Sequence, residues 1–280
     1  MISSSSGVAQ KDIRIIKSQP SFRNLLTELW RSKRLVFAHA VREIKIRYTP
    51  SVLGIAWVLI QPVLVTVAFA FLFSRFSNLA SRDIPYPLFT FVALLPWQLM
   101  TSGISRSTTT IVDNKHLFTK VHFPVIILPL AGTIVSLLDF FVCTMFVCIL
   151  FIYYSFTPSA NIVIFPLMLF LTLYITAGIG VMFSAFTVKT RDIGHALPFG
   201  IQLSLFLTPI AYDAHLVPEK WQMIYSLNPL VSVCLGFRWT LLGADIPLDM
   251  FLISITVGFI AATTGFIYFN KARTHFSDVL

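Results

Sequence analysis

Charge is what this chain has least of. Of 280 residues, 21 are Lys or Arg and 12 are Asp or Glu, so charged residues make up 12% of the whole. A soluble domain usually carries about 25%. So few charges over this length leave long uncharged runs, and such runs read as membrane-spanning helices. Cysteine is scarce as well. Cys143, Cys148 and Cys234 make no disulfide framework, and the first two lie inside an apolar run as small core residues.

Catalytic and metal-binding signatures are missing too. No glycine is followed by lysine, which excludes a GxxxxGK[ST] phosphate-cradling loop. There is no HExxH and no CxxC. The histidines (His39, His116, His122, His195, His215, His275) fall on both sides of the topology derived below, so they do not converge on one metal. The only carboxylate inside a predicted span is Asp139, which leaves no carboxylate pair for acid–base work. An ionisable group at that depth is costly and often functional; alternatively it bonds a neighbouring Ser, Thr or Asn across the bundle. If the chain performs work, the energy comes from a partner or a gradient. The net charge of +9 does not imply nucleic acid. Lys and Arg gather in cytoplasmic loops of membrane proteins, which accounts for it.

What is present begins with a polar, Ser-rich stretch at residues 1–20, read as a mobile tail without a signal peptide. Phe22, Leu25, Leu26 and Leu29 then recur at helical spacing behind Ser21. A second stripe follows at Phe37, Ala40, Val41, Ile44 and Tyr48, with Lys33, Arg34, Arg42, Glu43, Lys45 and Arg47 mostly off it. Glu43 and Arg47 have the four-residue spacing of a helical ion pair. A basic amphipathic segment that runs straight into an apolar one lies in the membrane interface. Residues 21–50 are therefore interfacial helices, broken from the membrane domain (51–280) at Tyr48-Thr49-Pro50.

Six uncharged runs suit spans: residues 52–74, 84–105, 123–154, 162–188, 193–212 and 250–270. Gly178 and Gly180 are small residues suited to close helix packing. Loop charges orient them. Ten Lys or Arg precede the first span, seven more fall in alternate loops and the C-terminus, and only Arg75, Arg82, Lys220 and Arg238 fall on the other side. Seventeen against four puts both termini in the cytoplasm. Between residues 213 and 249 the chain is apolar again, but Asn228-Pro229 cuts it into two pieces too short to span. They read as a pair of external re-entrant helices rather than a surface loop. On the other face, residues 108–121 hold a short amphipathic helix with Ile111, Val112 and Leu117, capped by Thr110 or Asp113, of the kind a soluble motor needs as a lever.

These residues together resemble the membrane subunit of ABC-type polysaccharide exporters, the O-antigen export permease family. The ordered marks are Arg42–Tyr48 with Val52-Leu53-Gly54 and Trp57, Gln61-Pro62, Pro85-Tyr86, Leu95-Pro96-Trp97, Lys120–Pro124, Arg191-Asp192, Thr208-Pro209-Ile210, Asn228-Pro229, Arg238 and Phe276-Ser277-Asp278. Thr190 stands where a Tyr before Arg-Asp is common. The resemblance implies an all-α integral membrane fold of six spans. It implies a homodimer paired with two copies of a separate ATPase that binds ATP and Mg, this chain holding no cofactor of its own. It implies a coupling helix at about 113–122 with Asp113, Asn114, Leu117 and Lys120, and an external gate at about 216–242 with Asn228, Pro229 and Arg238. It implies that undecaprenyl-pyrophosphate-linked polysaccharide crosses a bacterial inner membrane beside the interfacial helix and the Tyr48–Pro50 turn.

Physical chemistry supplies reasons. A sugar polymer does not dissolve in lipid, and aromatic faces give sugar rings apolar contact without a fixed register. Trp57, Trp97, Phe199, Phe206 and Tyr212 are the candidate channel-lining residues; with 27 Phe in the chain, lipid or core contact is the competing reading for each. A pyrophosphate needs cationic donors near the interface. Arg42, Lys45 and Arg47, with Tyr48, are placed for that, or for anionic lipids. Related architectures exporting capsule, teichoic acid or a smaller amphiphile remain open. A membrane enzyme would need a convergent polar set at one face, and a scaffold would have no nucleotide-dependent partner.

Overall fold

The computed structural model describes residues 33–73, 84–114 and 124–276. The tail at 1–20, the helix expected around Phe22–Leu29, and Leu117 and Lys120 lie outside these residues. Among the described residues the fold is helical, with no strand. The long elements are α1 (Lys33–Tyr48), α2 (Trp57–Phe73), α3 (Tyr86–Asp113), α4 (Ile127–Tyr153), α5 (Phe165–Lys189), α6 (Asp192–Ser204), α7 (Glu219–Ser226), α8 (Pro229–Leu242) and α9 (Leu248–Ala272).

Five of these helices, counting the 3-10 turns that lead into α2 and α5, are long and apolar enough to cross a membrane: α2, α3, α4, α5 and α9. Their outward faces carry Leu64, Phe71, Met145, Ile152, Phe170 and Phe259, all exposed, as lipid-facing side chains are. The central helix is α3, packed against α4, α5 and α8. Its composition explains its place. It holds Thr90, Thr101, Ser107, Thr108 and Thr110, all buried, and polar side chains at membrane depth belong inside the bundle. Ser107 donates to the Pro129 carbonyl at 2.6 Å, and Thr108 donates to Ile104 within its own helix at 2.7 Å.

The fifth predicted run behaves differently. Residues 193–212 do not form one helix; α6 stops at Ser204 and the chain turns through 205–212. Thirteen residues rise about 20 Å, short of the roughly 30 Å hydrocarbon core. Pro209 removes a backbone donor and disfavours helical backbone at Thr208. The carbonyls that this frees find Arg238 of α8. Its guanidinium donates to Pro209 O at 2.5 Å, Ile210 O at 2.6 Å, Tyr212 O at 3.2 Å and Phe89 O at 3.2 Å. It also lies 3.4 Å from the Phe89 ring centroid. Arg238 is 2% exposed, so this cation closes the bend from inside.

Asn228 caps α8, accepting from Leu230 N at 3.0 Å, with Pro229 at the first helical position, where no donor is needed. The two short helices α7 and α8 flank that break. α8 packs into the bundle against α3 and α9, and its end is closed by Gly243 in the left-handed region (φ 68°). Gly178 and Gly180 sit at close crossings. A Cβ on Gly178 would collide with the Ala262 backbone of α9, and one on Gly180 would come within 2.8 Å of Ser107 of α3. Gly54 (φ 50°) makes the bend after Tyr48-Thr49-Pro50 and leads through a 3-10 turn into α2.

Candidate functional site

Helix α1 lies along α4 through Ala40, which packs in one cluster with Ala131 and Val135. Its far side leaves Leu35, Phe37 and Ile46 exposed. Glu43 does not pair with Arg47 as its spacing suggested. Glu43 lies beside His39 instead, Oε1 3.2 Å from Nε2, while the Arg47 guanidinium sits 5.7 Å from the Tyr48 ring. Tyr48 ends α1 pointing inward, where its hydroxyl donates to Asp139 Oδ1 of α4 at 2.5 Å. Burial, then the hydrogen bond to Asp139, raises the phenol above its ordinary value and keeps it a donor.

Asp139 has a second partner. Arg106 of α3 donates to its other oxygen through Nη2. The two side chains are 13% and 8% exposed. The span expected at residues 84–105 leaves Arg106 to the cytoplasmic loop that follows; α3 instead continues to Asp113, and Arg106 is on its inward face. Asp139 is therefore neither a lone charge nor bonded to a Ser, Thr or Asn. It joins three helices through one carboxylate.

Above this junction opens a cavity of about 710 Å³ between the end of α1, α2, α3, α4 and α6. Arg47, Tyr48, Trp57, Trp97, Arg106 and Asp139 line it, with Gln61, Gln98 and Gln202. Trp97 donates its indole N–H to Ser204 of α6 at 3.3 Å. Thr101 and Ser102 donate back to the carbonyls of Trp97 and Gln98, at 2.7 and 2.6 Å, leaving hydroxyl lone pairs toward the cavity. Flat rings, amides and free acceptors are the chemistry that sugar hydroxyls and ring faces require. The glutamines were missed as lining residues, although uncharged amides inside apolar runs were the signal for them.

A second cavity, about 300 Å³, lies under α1. It is lined by His39, Arg42, Glu43 and Ile46 of α1, by Thr109, Thr110 and Asp113 of α3, and by Asn114. Arg47 and Arg106 line both cavities and so form the wall between them. Lys45 is exposed and lines neither. Asn114 closes α3, its amide donating to Thr110 O at 2.9 Å, so Asp113 and Asn114 stand beside the basic face of α1.

Three aromatic candidates fall elsewhere. Phe199 and Phe206 are 67% and 64% exposed on and after α6, a helix with no buried residue. Tyr212 shares a 2.5 Å hydroxyl contact with Tyr225 of α7. Within one copy of the chain, then, Trp57 and Trp97 reach the cavity and these three do not. At the other end, Asn228 donates to Leu207 O at 3.1 Å and to Thr208 Oγ1 at 3.2 Å, tying α8 to the bend that Arg238 holds.

A buried, helix-joining charge cluster beneath a cavity lined by polar side chains, in a bundle of apolar helices, is the construction of a membrane transport subunit. The chain belongs to the ABC-2 type transporter family, which matches residues 34–242. It is an integral membrane protein, and its relatives are transport permeases. It is 30% identical over 241 residues to the O-antigen export system permease protein RfbA of Klebsiella pneumoniae, covering 85% of this chain and 92% of that one. It is 29% identical over 217 residues to the Myxococcus xanthus protein of the same name, covering 76% and 82%. Against the polysialic acid transport protein KpsM of Escherichia coli the identity is 24% over 205 residues, covering 72% and 78%.

Proposed function

We propose that this chain is the channel-forming membrane subunit of an ATP-driven exporter of lipid-linked, O-antigen-type polysaccharide. The observation that carries the reading is the cavity of about 710 Å³ walled by two tryptophans and three glutamines, which shares Arg47 and Arg106 with a second cavity that Arg42 also lines. Relatives named for O-antigen export support it. The chain is not catalytic by itself; ATP and Mg belong to a separate ATPase, present in two copies. Asp113 and Asn114 begin the segment that docks on it, which continues through Leu117 and Lys120.

The working unit is a homodimer. The exposed apolar side of α6 and of the turn after it, with Phe199, Leu203 and Phe206, supports this, since no residue of that helix is fully buried within its own chain. Phe199 and Phe206 would then line the path from the two copies together. The substrate is undecaprenyl-pyrophosphate-linked glycan, moving from the cytoplasmic to the outer side of the bacterial inner membrane, with both termini cytoplasmic and α6 together with the bend after it making the sixth crossing. Arg42 and Arg47, with Lys45 nearby, meet the headgroup at the interfacial helix, and α7 and α8 with Asn228, Pro229 and Arg238 gate the exit. A capsular glycan is the second reading, supported by the resemblance to a polysialic acid transport protein.

Deleting the reading frame and analysing the glycans tests this. Loss of surface polysaccharide with lipid-linked polymer retained inside is the expected result, restored by the wild-type chain. The sugar composition of the retained polymer separates O-antigen from capsule. Normal surface glycan in the deletion strain sinks the proposal.

A further inference from the structure

We infer that Arg106 is the inner anion-binding residue of the cavity, and that Asp139 holds it in reserve until a pyrophosphate group displaces the carboxylate. This rests on the polysaccharide-exporter reading and deepens it: it names the site where the substrate's anion is passed from the smaller cavity to the channel.

Three observations converge. Arg106 lines both cavities, and only Arg47 does so with it. Two guanidinium groups therefore stand at the boundary shared by the smaller cavity, which Arg42 also lines, and the larger chamber. Next, the Arg106 side chain is incompletely used. Nη2 is given to Asp139, while its buried Nε has no hydrogen-bond partner among the described residues. Guanidinium binds oxyanions as a two-point fork. A diphosphate accepts from both edges of that fork; the carboxylate in its present position takes one. Finally, the charges lining the large cavity are Arg47, Arg106 and Asp139, so one positive charge is uncompensated there.

The resting arrangement has a reason. A buried cation without a counter-ion is strongly unfavourable. Asp139 supplies one, and Tyr48 supplies the carboxylate with a neutral donor on its other oxygen. When a phosphate oxygen takes the guanidinium, Asp139 keeps Tyr48, so no carboxylate is stranded. The exchange swaps one anion for another at a fixed cation. It binds the headgroup without the full cost of desolvating a free arginine, and the returning carboxylate helps to release it.

The test uses the full chain assembled with its ATPase in lipid nanodiscs. Binding of undecaprenyl pyrophosphate is measured directly, with inorganic pyrophosphate as competitor. Asp139→Asn removes the internal competitor and keeps an acceptor for Tyr48; it tightens binding at least about tenfold. Arg106→Gln with Asp139→Asn removes both charges together, so no buried charge is left unpaired. That double variant assembles and weakens binding at least about tenfold. Inorganic pyrophosphate competing in the wild type but not in the double variant assigns the effect to the headgroup rather than to the lipid chain. Equal affinities in the wild type, Asp139→Asn and the double variant overturn the inference, with Arg106 then purely structural. Such a result beside normal export by the wild type would leave the exporter reading standing. Absence of any lipid-diphosphate binding by a complex that is dispensable for surface glycan would remove both.

Discussion

Two arginines in this chain show how one residue type serves opposite ends. Arg238 is spent on structure, since every contact it makes is to a backbone carbonyl or an aromatic face. Replacing it with Met keeps the bulk but leaves buried carbonyls unpaired at about 1–3 kcal/mol each, so the loss is about 3 kcal/mol or more. Thermal unfolding in detergent should show a large drop for Arg238→Met and an intermediate one for Arg238→Lys, whose ammonium lacks the fork. A melting temperature equal to that of the wild type would contradict the bend-closing role. Tyr48 is the smaller lever. Tyr48→Phe removes one hydrogen bond to a charged acceptor, worth about 1.5–3 kcal/mol, and faster amide exchange in α1 with little change in α9 is the expected signature. The sign of its pH dependence follows from the raised phenol. The ordinary value is 10.0, the folded one is higher, and the stabilisation is complete below pH 10 and lost as pH rises past it. Melting of the wild type should therefore fall above about pH 10 more steeply than that of Tyr48→Phe.

At the scale of elements, the close approach of α5 and α9 depends on Gly178 facing Ala262 and Gly265. Gly178→Leu pushes these two helices apart at the backbone, and overpacking costs about 3 kcal/mol or more here, where no flexible side chain yields. The expected result is poor assembly with low melting temperature, while Gly200→Ala, a position with open space around it, should behave as the wild type. These elements also show what was legible beforehand. Residues 52–74, 84–105, 123–154, 162–188 and 250–270 were readable because a run of apolar residues has no stable place except a span. The run at 193–212 reads as one continuous helix for the same reason, and it is not one: α6 ends at Ser204. Apolar composition says where a segment is soluble, not whether it stays helical, and the Arg238 contacts that allow its bend come from a residue about 30 positions away in sequence. Likewise the extension of α3 to Asp113 hid in the charge of Arg106, which looked like a loop residue until Asp139 was seen to neutralise it.

For the whole molecule, the family was readable from an ordered set of short marks, and the candidate site only in part. Arg47, Tyr48, Trp57 and Trp97 do come together at one cavity, although nothing local in the sequence joins them. Phe199, Phe206 and Tyr212 do not, because aromatic type alone carries no information about which way a helix faces. Their place at a dimer seam is an expectation of its own. A cross-link between Phe199→Cys residues of two copies should form in membranes, and failure there, with efficient cross-linking elsewhere, would argue against α6 at the seam. The central claim is that this bundle moves a lipid-linked glycan when a partner hydrolyses ATP. The measurement is translocation of labelled, lipid-linked glycan across proteoliposomes holding this chain and its ATPase. The account predicts transport that needs both proteins, ATP and Mg, and that falls sharply with paired charge reversal of Arg42 and Arg47 while the complex stays assembled. Glycan crossing at the same rate without ATP or without this chain would contradict it.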